Sequence, residues 1–220
     1  MRIKDRIYLS ILVLFLITAG MFAATWIISA SQETDGLCIN LAGRQRMLLQ
    51  KMTKELWELE LARSTASADS KLIDPAALAK TVRASIAVFE KTDDALARGG
   101  SAPTTLDPAG AAAQVPPASD KAAALLGQVD ALWQPFKADV ESALAKSAPA
   151  TMAQVQTAGA GLAKALNLVV DQMQAEASGK VTTLLATQAG CVLLALAGAL
   201  LVLYNLRYQV IAPIESLRAF

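Results

Sequence analysis

The 220-residue chain contains no histidine. That absence removes imidazole acid–base catalysis, Ser-His and Cys-His nucleophile pairs, most zinc sites and phosphorylation on histidine within these residues. Cysteine is nearly absent as well, and Cys38 and Cys191 alone cannot build a disulfide framework. Charged residues make up only 18% and aromatics only 5%, against 54% hydrophobic residues and a mean hydropathy of +0.40. The apolar excess is therefore aliphatic (Ala, Leu and Val), the profile of helices in or against a membrane. With 20 basic and 19 acidic residues the net charge is +1. Phosphate neutralisation calls for a basic excess, so no nucleic-acid partner is expected. No Gly-rich phosphate loop, nucleophile elbow or metal-ligand spacing occurs. An enzyme is not expected, and neither a cofactor nor a metal site is.

Two long uncharged runs stand out. Ile7–Ala30 holds 24 residues without a charge, with ILVLFLI at its heart and Trp26 near its far end. Crossing about 30 Å of hydrocarbon takes roughly 20 residues, so this run suffices. Arg2, Lys4 and Arg6 precede it as in a signal peptide, but it exceeds the roughly 7–15 residues of a signal core and no clean small-x-small site ends it. The second run is Val181–Leu206, followed by Arg207, with Tyr204 placed as an interface anchor. Five basic and two acidic residues lie outside residues 31–180, leaving 15 basic and 17 acidic between the runs. The positive-inside rule then places residues 1–6 and 207–220 in the cytoplasm and 31–180 in the periplasm of a bacterial inner membrane.

Residues 31–180 read as an all-α segment. Gln32 to about Arg63 continues the first span. Asp74-Pro75 reads as an N-cap followed by Pro at the first helical position, starting a second helix that stops at Gly99-Gly100. The Pro- and Gly-rich stretch 99–118 reads as a loop. Ser119-Asp120 starts a third helix to about Ala145, with Pro135 as a site of kink or irregularity. A fourth helix runs from about Thr151 into the second span. The expectation is a membrane-anchored up-down four-helix bundle flanked by two transmembrane helices, 7–30 and 181–206.

The stretch Ile39–Met52, INLAGRQRMLLQKM, carries the specific signal. At about 100° per residue from Asn40, the residues Cys38, Leu41, Leu48, Met52, Leu56 and Leu59 form a core stripe. Cys38 on that stripe is expected to be a buried, inert thiol, an intersubunit disulfide being the alternative. Asn40, Arg44, Lys51, Lys54, Glu55 and Glu58 cluster as a solvated face with i,i+4 pairs. Arg46 lies on neither, sharing a flank with Ile39, Gly43, Gln50, Thr53 and Trp57. Gly43 in mid-helix costs up to about 1 kcal/mol relative to Ala, which suits a close approach by a second helix. Either this flank is a seam between subunits, or Arg46 snorkels to water and Gly43 is incidental. Asp93-Asp94 reads as a solvated acidic pair, and Trp57, Trp133 and Phe136 read as core.

The same stretch resembles the INxAGRQRMLSQRMAK signature of the type IV pili methyl-accepting chemotaxis transducer N-terminal (PilJ-type) domain. It is also similar to the P-box of nitrate/nitrite sensor kinases, close to INxAGxLRMQSYRL. The resemblance implies a homodimer in which Arg46, the arginine before the signature methionine, clamps a small anion such as nitrate between subunits. Asn40, Gly43 and Gln50 would support it, with Arg44 and Lys51 as secondary candidates. Leu49 replaces the usual Ser, and Lys51 the usual Arg, so position 51 offers a point charge rather than a bidentate fork. After the second span, Arg207–Leu217 resembles the opening of a HAMP relay helix. The chain stops at Phe220, so it is expected to be a fragment or truncated product without its output module. The functional expectation is a transmembrane chemoreceptor-type sensor. The alternatives are a non-signalling membrane scaffold or pilus-associated protein, or the sensor part of a histidine kinase or cyclase.

Overall fold

The structure, a computed structural model, describes residues 3–64, 74–146 and 149–208. Helix α1 spans Ile3–Ser64, α2 Pro75–Arg98, α3 Asp120–Ala145 and α4 Pro149–Leu206; strands β1 (Gly100–Pro103) and β2 (Ala112–Val115) lie between α2 and α3. Two compact units result, one from Met1–Gln32 with Ala177–Phe220 and one from Glu33–Glu176.

The helix limits follow from local chemistry. Asp74 caps α2 by accepting from the Ala76 amide at 2.9 Å, and Pro75 opens the helix where a missing N–H costs nothing. Gly99 ends it at φ 79°, its N–H donating to Ala95 O at 2.8 Å. A Cβ there would stand 2.9 Å from the Pro117 nitrogen, so only glycine fits. Ser119 caps α3, which runs unbroken through the exposed Pro135 to Ala145.

The stretch expected as a loop is instead an antiparallel hairpin, Gly100 pairing with Val115 and Pro103 with Ala112. Four-residue strands are too short for an alternating pattern to show in the sequence. They form because Ala102 and Val115 are buried, and because the 104–111 turn closes on itself. Thr104 donates to Ala111 O from both its amide, at 2.7 Å, and its hydroxyl, at 2.9 Å, while Asp107 accepts from the Ala109 amide at 2.9 Å.

In the unit Glu33–Glu176, cross-helix pairs define the order. Arg44, Gln45 and Lys51 of α1 meet Thr92, Phe89 and Ser85 of α2. Ser119 of α3 donates to Glu176 of α4 at 2.6 Å, and Arg46 of α1 to Asn167 of α4 at 2.7 Å. Along the α1–α2 pairs one residue number rises as the other falls, and so it does between α3 and α4 (Ser119–Glu176, Phe136–Gly159) and between α1 and α4 (Arg46–Asn167, Leu49–Gly159), so these neighbours are antiparallel and the bundle is up-down. Arg63 near the end of α1 donates to the carbonyls of Ala143 and Leu144, satisfying the last turn of α3. The core holds Leu48, Met52, Leu56 and Leu59 of α1 with Val82, Phe89, Phe136, Val155, Leu162 and Leu166. Phe89 stacks on Trp133 with centroids 3.9 Å apart. Gly159 lets α4 pass close to its neighbours: a Cβ would meet Phe136 at 3.4 Å and Leu49 at 3.9 Å. Cys38, expected to be fully buried, is only half-buried at the edge of this core, because the stripe loosens toward the start of the bundle.

In the other unit, α1 and α4 each contain a stretch long and apolar enough to cross a membrane, with none of it buried inside the chain. Phe15, Phe22 and Leu193 are among the large side chains left bare, as a lipid environment permits. Gln188 donates to Thr25 across 2.7 Å and Lys180 to Ser31 across 3.3 Å. The hydroxyls of Thr18, Thr25 and Thr183 donate back to their own helices, which suits an apolar medium. Of the expected relay start, Arg207 and Tyr208 are described, with the Tyr208 ring 4.6 Å from Tyr204; the rest lies outside the described residues.

Candidate functional site

Three consecutive residues of α1 face three different neighbours, because each step along a helix turns the side chain by about 100°. Arg44 reaches the hairpin. Its Nη2 donates to Pro103 O and stands 3.5 Å from Thr92 Oγ1, while Nη1 stands 3.5 Å from Thr105 O. Gln45 is 1% exposed and donates to Phe89 O at 2.9 Å. Arg46 turns to the opposite flank, where Nη1 donates to Asn167 Oδ1 at 2.7 Å.

The face expected to be solvated is therefore partly covered. Arg44 is half-buried, and desolvation holds its guanidinium pKa below the ordinary value. Lys51 pairs with Glu55 at 2.6 Å and stands 3.4 Å from Ser85 Oγ, and Glu55 is buried. Helix α2 and the hairpin lie over this face and engage Arg44 and Lys51. Buried polar atoms here include Arg44 Nε, Gln45 Oε1 and Glu55 Oε2, which lack a hydrogen-bond partner, so the α1–α2 contact carries a desolvation cost.

Asp93 is likewise half-buried rather than solvated. Its carboxyl is pushed up to about 6, first by burial and then by Asp130, with Arg98 opposing. Asp94 pairs with Arg98. Trp133 and Phe136 are core as expected, but Trp57 is 47% exposed, because none of the described helices covers its side of α1.

That uncovered side carries the primary candidates. Asn40 and Gln50 are exposed, while Gly43 and Arg46 are half-buried. A Cβ on Gly43 would meet only Arg46 Nη2, at 3.7 Å, so no close helix approach within the chain calls for glycine there. Among the described residues Arg46 has no carboxylate partner; Asn167 is a neutral amide, and its 2.7 Å bond uses one of the five guanidinium donors. The cation is anchored but not neutralised. Asn167 was invisible to the motif, lying far along the chain on α4.

A repeat along α1 marks the same side. Gly36, Asn40, Gly43, Met47, Gln50, Lys54, Trp57 and Leu61 follow alternating four- and three-residue steps, and all but Gly43 are exposed. This is the seven-residue spacing of a helix seam. A heptad scan of α1 could have found it. Among the described residues no three acidic or cysteine side chains converge as metal ligands would.

The family model for the type IV pili methyl-accepting chemotaxis transducer N-terminal domain (PilJ) matches residues 27–159, more than half of the chain. The match includes Arg44, Gln45, Arg46 and the hairpin, and ends before Asn167. Among curated proteins, none matches the chain.

Proposed function

As the chain belongs to the PilJ family of chemotaxis-transducer N-terminal domains, a sensor family rather than a catalytic one, we propose that it senses a small anion, nitrate foremost, between two parallel copies. The two apolar stretches of α1 and α4, together with the sensor domain, fit a membrane protein. On this reading residues 31–180 lie in the periplasm, both ends face the cytoplasm, and Arg207 onward begins a HAMP-like relay to an output module.

The observation that carries the reading is the uncovered α1 seam, in which the polar Asn40 and Gln50 alternate with Gly43, Met47 and Trp57 beside a cation that has no carboxylate partner among the described residues. A second copy laid parallel along this seam brings two Arg46 side chains together. At about 6 Å and an effective dielectric of about 20, their repulsion is roughly 3 kcal/mol. A planar anion between them relieves that repulsion and accepts charge-assisted hydrogen bonds from both guanidinium forks. Asn40 and Gln50, about 9 and 6 Å along the helix from Arg46, line the same seam on either side of the anion, and Gly43 removes a side chain where the helices approach.

Because such a site spans two copies, the anion favours one spacing of the α1 pair over another. Only this difference in affinity can drive a signal. Helix α1 continues into one apolar stretch and α4 into the other, so a shift between them reaches the residues after α4.

Calorimetry on the full chain in detergent, titrated with nitrate, nitrite and chloride, tests the reading. The expected result is one nitrate per dimer, lost in Arg46→Ala. Equal nitrate affinity in that variant refutes the clamp, and a strict monomer in detergent refutes the seam.

A further inference from the structure

Helices α2 and α3 enclose a second polar cleft that belongs to neither the α1 seam nor the hairpin. It has a volume of about 360 Å³ and is lined by Arg83 and Ile86 of α2 and by Lys137, Glu141 and Leu144 of α3. The spacing makes the cleft: three- and four-residue steps put each helix's contributors on one face, and the antiparallel packing brings those faces together. Ile86 and Leu144 are buried and form an apolar floor, while Arg83 and Glu141 are exposed at the rim.

Lys137 is held by Glu90 at 2.6 Å, and that bond first, with the charge of Glu141 nearby, raises its pKa; the two rim charges form no such bond. Among the described residues, Arg83 and Glu141 form no ion pair with each other or with any other residue. A cation and an anion thus line one cleft, each with its bonding capacity unspent, above aliphatic side chains. Counting Glu90, the two cations and two carboxylates sum to zero. A simple anion would meet Glu141 and a simple cation would meet Arg83 and Lys137, so neither is complemented throughout. A zwitterion with an aliphatic tail is. The volume lies toward the small end of the roughly 300–1,000 Å³ usual for small-molecule sites.

We propose that this α2–α3 cleft binds an aliphatic α-amino acid, its carboxylate on Arg83, its ammonium on Glu141 and its side chain on Ile86 and Leu144. Arg83 offers the fork that suits a carboxylate, while Lys137 is already neutralised by Glu90. The site is independent of the anion seam and uses none of its residues.

The test is calorimetry of the full chain in detergent with L-leucine as probe, alongside 4-methylpentanoate, which lacks the ammonium, and 3-methylbutylamine, which lacks the carboxylate. One L-leucine per chain is expected, with each analogue binding at least tenfold more weakly. Arg83→Ala and Glu141→Ala should each weaken L-leucine at least tenfold and leave nitrate binding unchanged, whereas Arg46→Ala should leave L-leucine binding unchanged. Both rim residues are exposed, and matched circular dichroism melts verify that the variants fold. Absence of L-leucine binding overturns the proposal. So does unaltered affinity in the two rim variants, or 4-methylpentanoate binding as tightly as L-leucine, which would make the cleft a plain anion site. Loss of nitrate binding alone would overturn the seam and leave this cleft standing.

Discussion

Arg46 of α1 rests on Asn167 of α4 through a single 2.7 Å bond from guanidinium to amide oxygen. The pairing orients the cation without cancelling its charge. A single exposed bond of this kind contributes on the order of 1 kcal/mol to stability. Arg46→Ala should therefore melt within a few degrees of the parent chain while losing nitrate binding. Asn167→Asp is the sharper test. It supplies an internal carboxylate that competes with the anion, so nitrate affinity should fall at least tenfold with Arg46 still present, measured by calorimetry.

Gly43 separates folding from assembly. The nearest atom to an added Cβ is 3.7 Å away, so Gly43→Ala is accommodated within one chain and should raise bundle stability by up to about 1 kcal/mol through helix propensity. If a second α1 packs on that face, the same methyl group weakens the dimer. Thermal melting and sedimentation equilibrium on one sample should move in opposite directions; unchanged association would exclude Gly43 from the seam.

Arg44 should act on the hairpin rather than on the ligand. It reaches the carbonyls of Pro103 and Thr105 from α1. Arg44→Ala removes these and leaves the carbonyls of a partly buried strand end short of donors, at a cost of about 1–3 kcal/mol. Amide exchange should quicken across Gly100–Val115 and remain slow in the α1–α4 core. Uniform quickening throughout the bundle would mean that the hairpin is not a separable part.

Asp93 makes stability depend on pH. Its carboxyl titrates near 6 in the folded chain against an ordinary 3.8, mainly because burial disfavours the charge. The fold prefers the protonated form, so this contribution is fully present below about pH 4 and is lost as pH rises through 6. Above that, the ionised group costs on the order of 3 kcal/mol. Asp93→Asn should stabilise the chain at pH 7.5 by an amount approaching that figure, with the gain vanishing toward pH 4. Denaturant midpoints at several pH values measure it; an equal gain at every pH would assign the effect to packing.

Much of this architecture was legible in the sequence because its signals are local. Asp74-Pro75, Gly99 and Ser119 mark helix limits through backbone chemistry within a few residues, and two uncharged runs mark the apolar stretches by length and composition. The core stripe Leu41, Leu48, Met52, Leu56 and Leu59 follows from helical periodicity, and all five are buried. The motif at Ile39–Met52 pointed to the family before any coordinates were needed.

What periodicity leaves open is which neighbour covers a polar face. Arg44 reads as solvated in the sequence and Arg46 as either a seam or a snorkelling residue, yet α2 and the hairpin cover the first, while the second meets α4 beside a bare seam. Packing likewise buried Glu55 and half-buried Asp93, and Trp57 stayed exposed because none of the described helices reaches it. The hairpin's two short strands carry too few residues for a pattern, and their stability comes from the burial of Ala102 and Val115 and from Arg44 on the opposite helix. The sequence by itself determined the helices, their apolar faces and the chemistry they carry. The packing of distant segments decided which polar groups lost their water, since desolvation depends on contacts that residues near in sequence do not make.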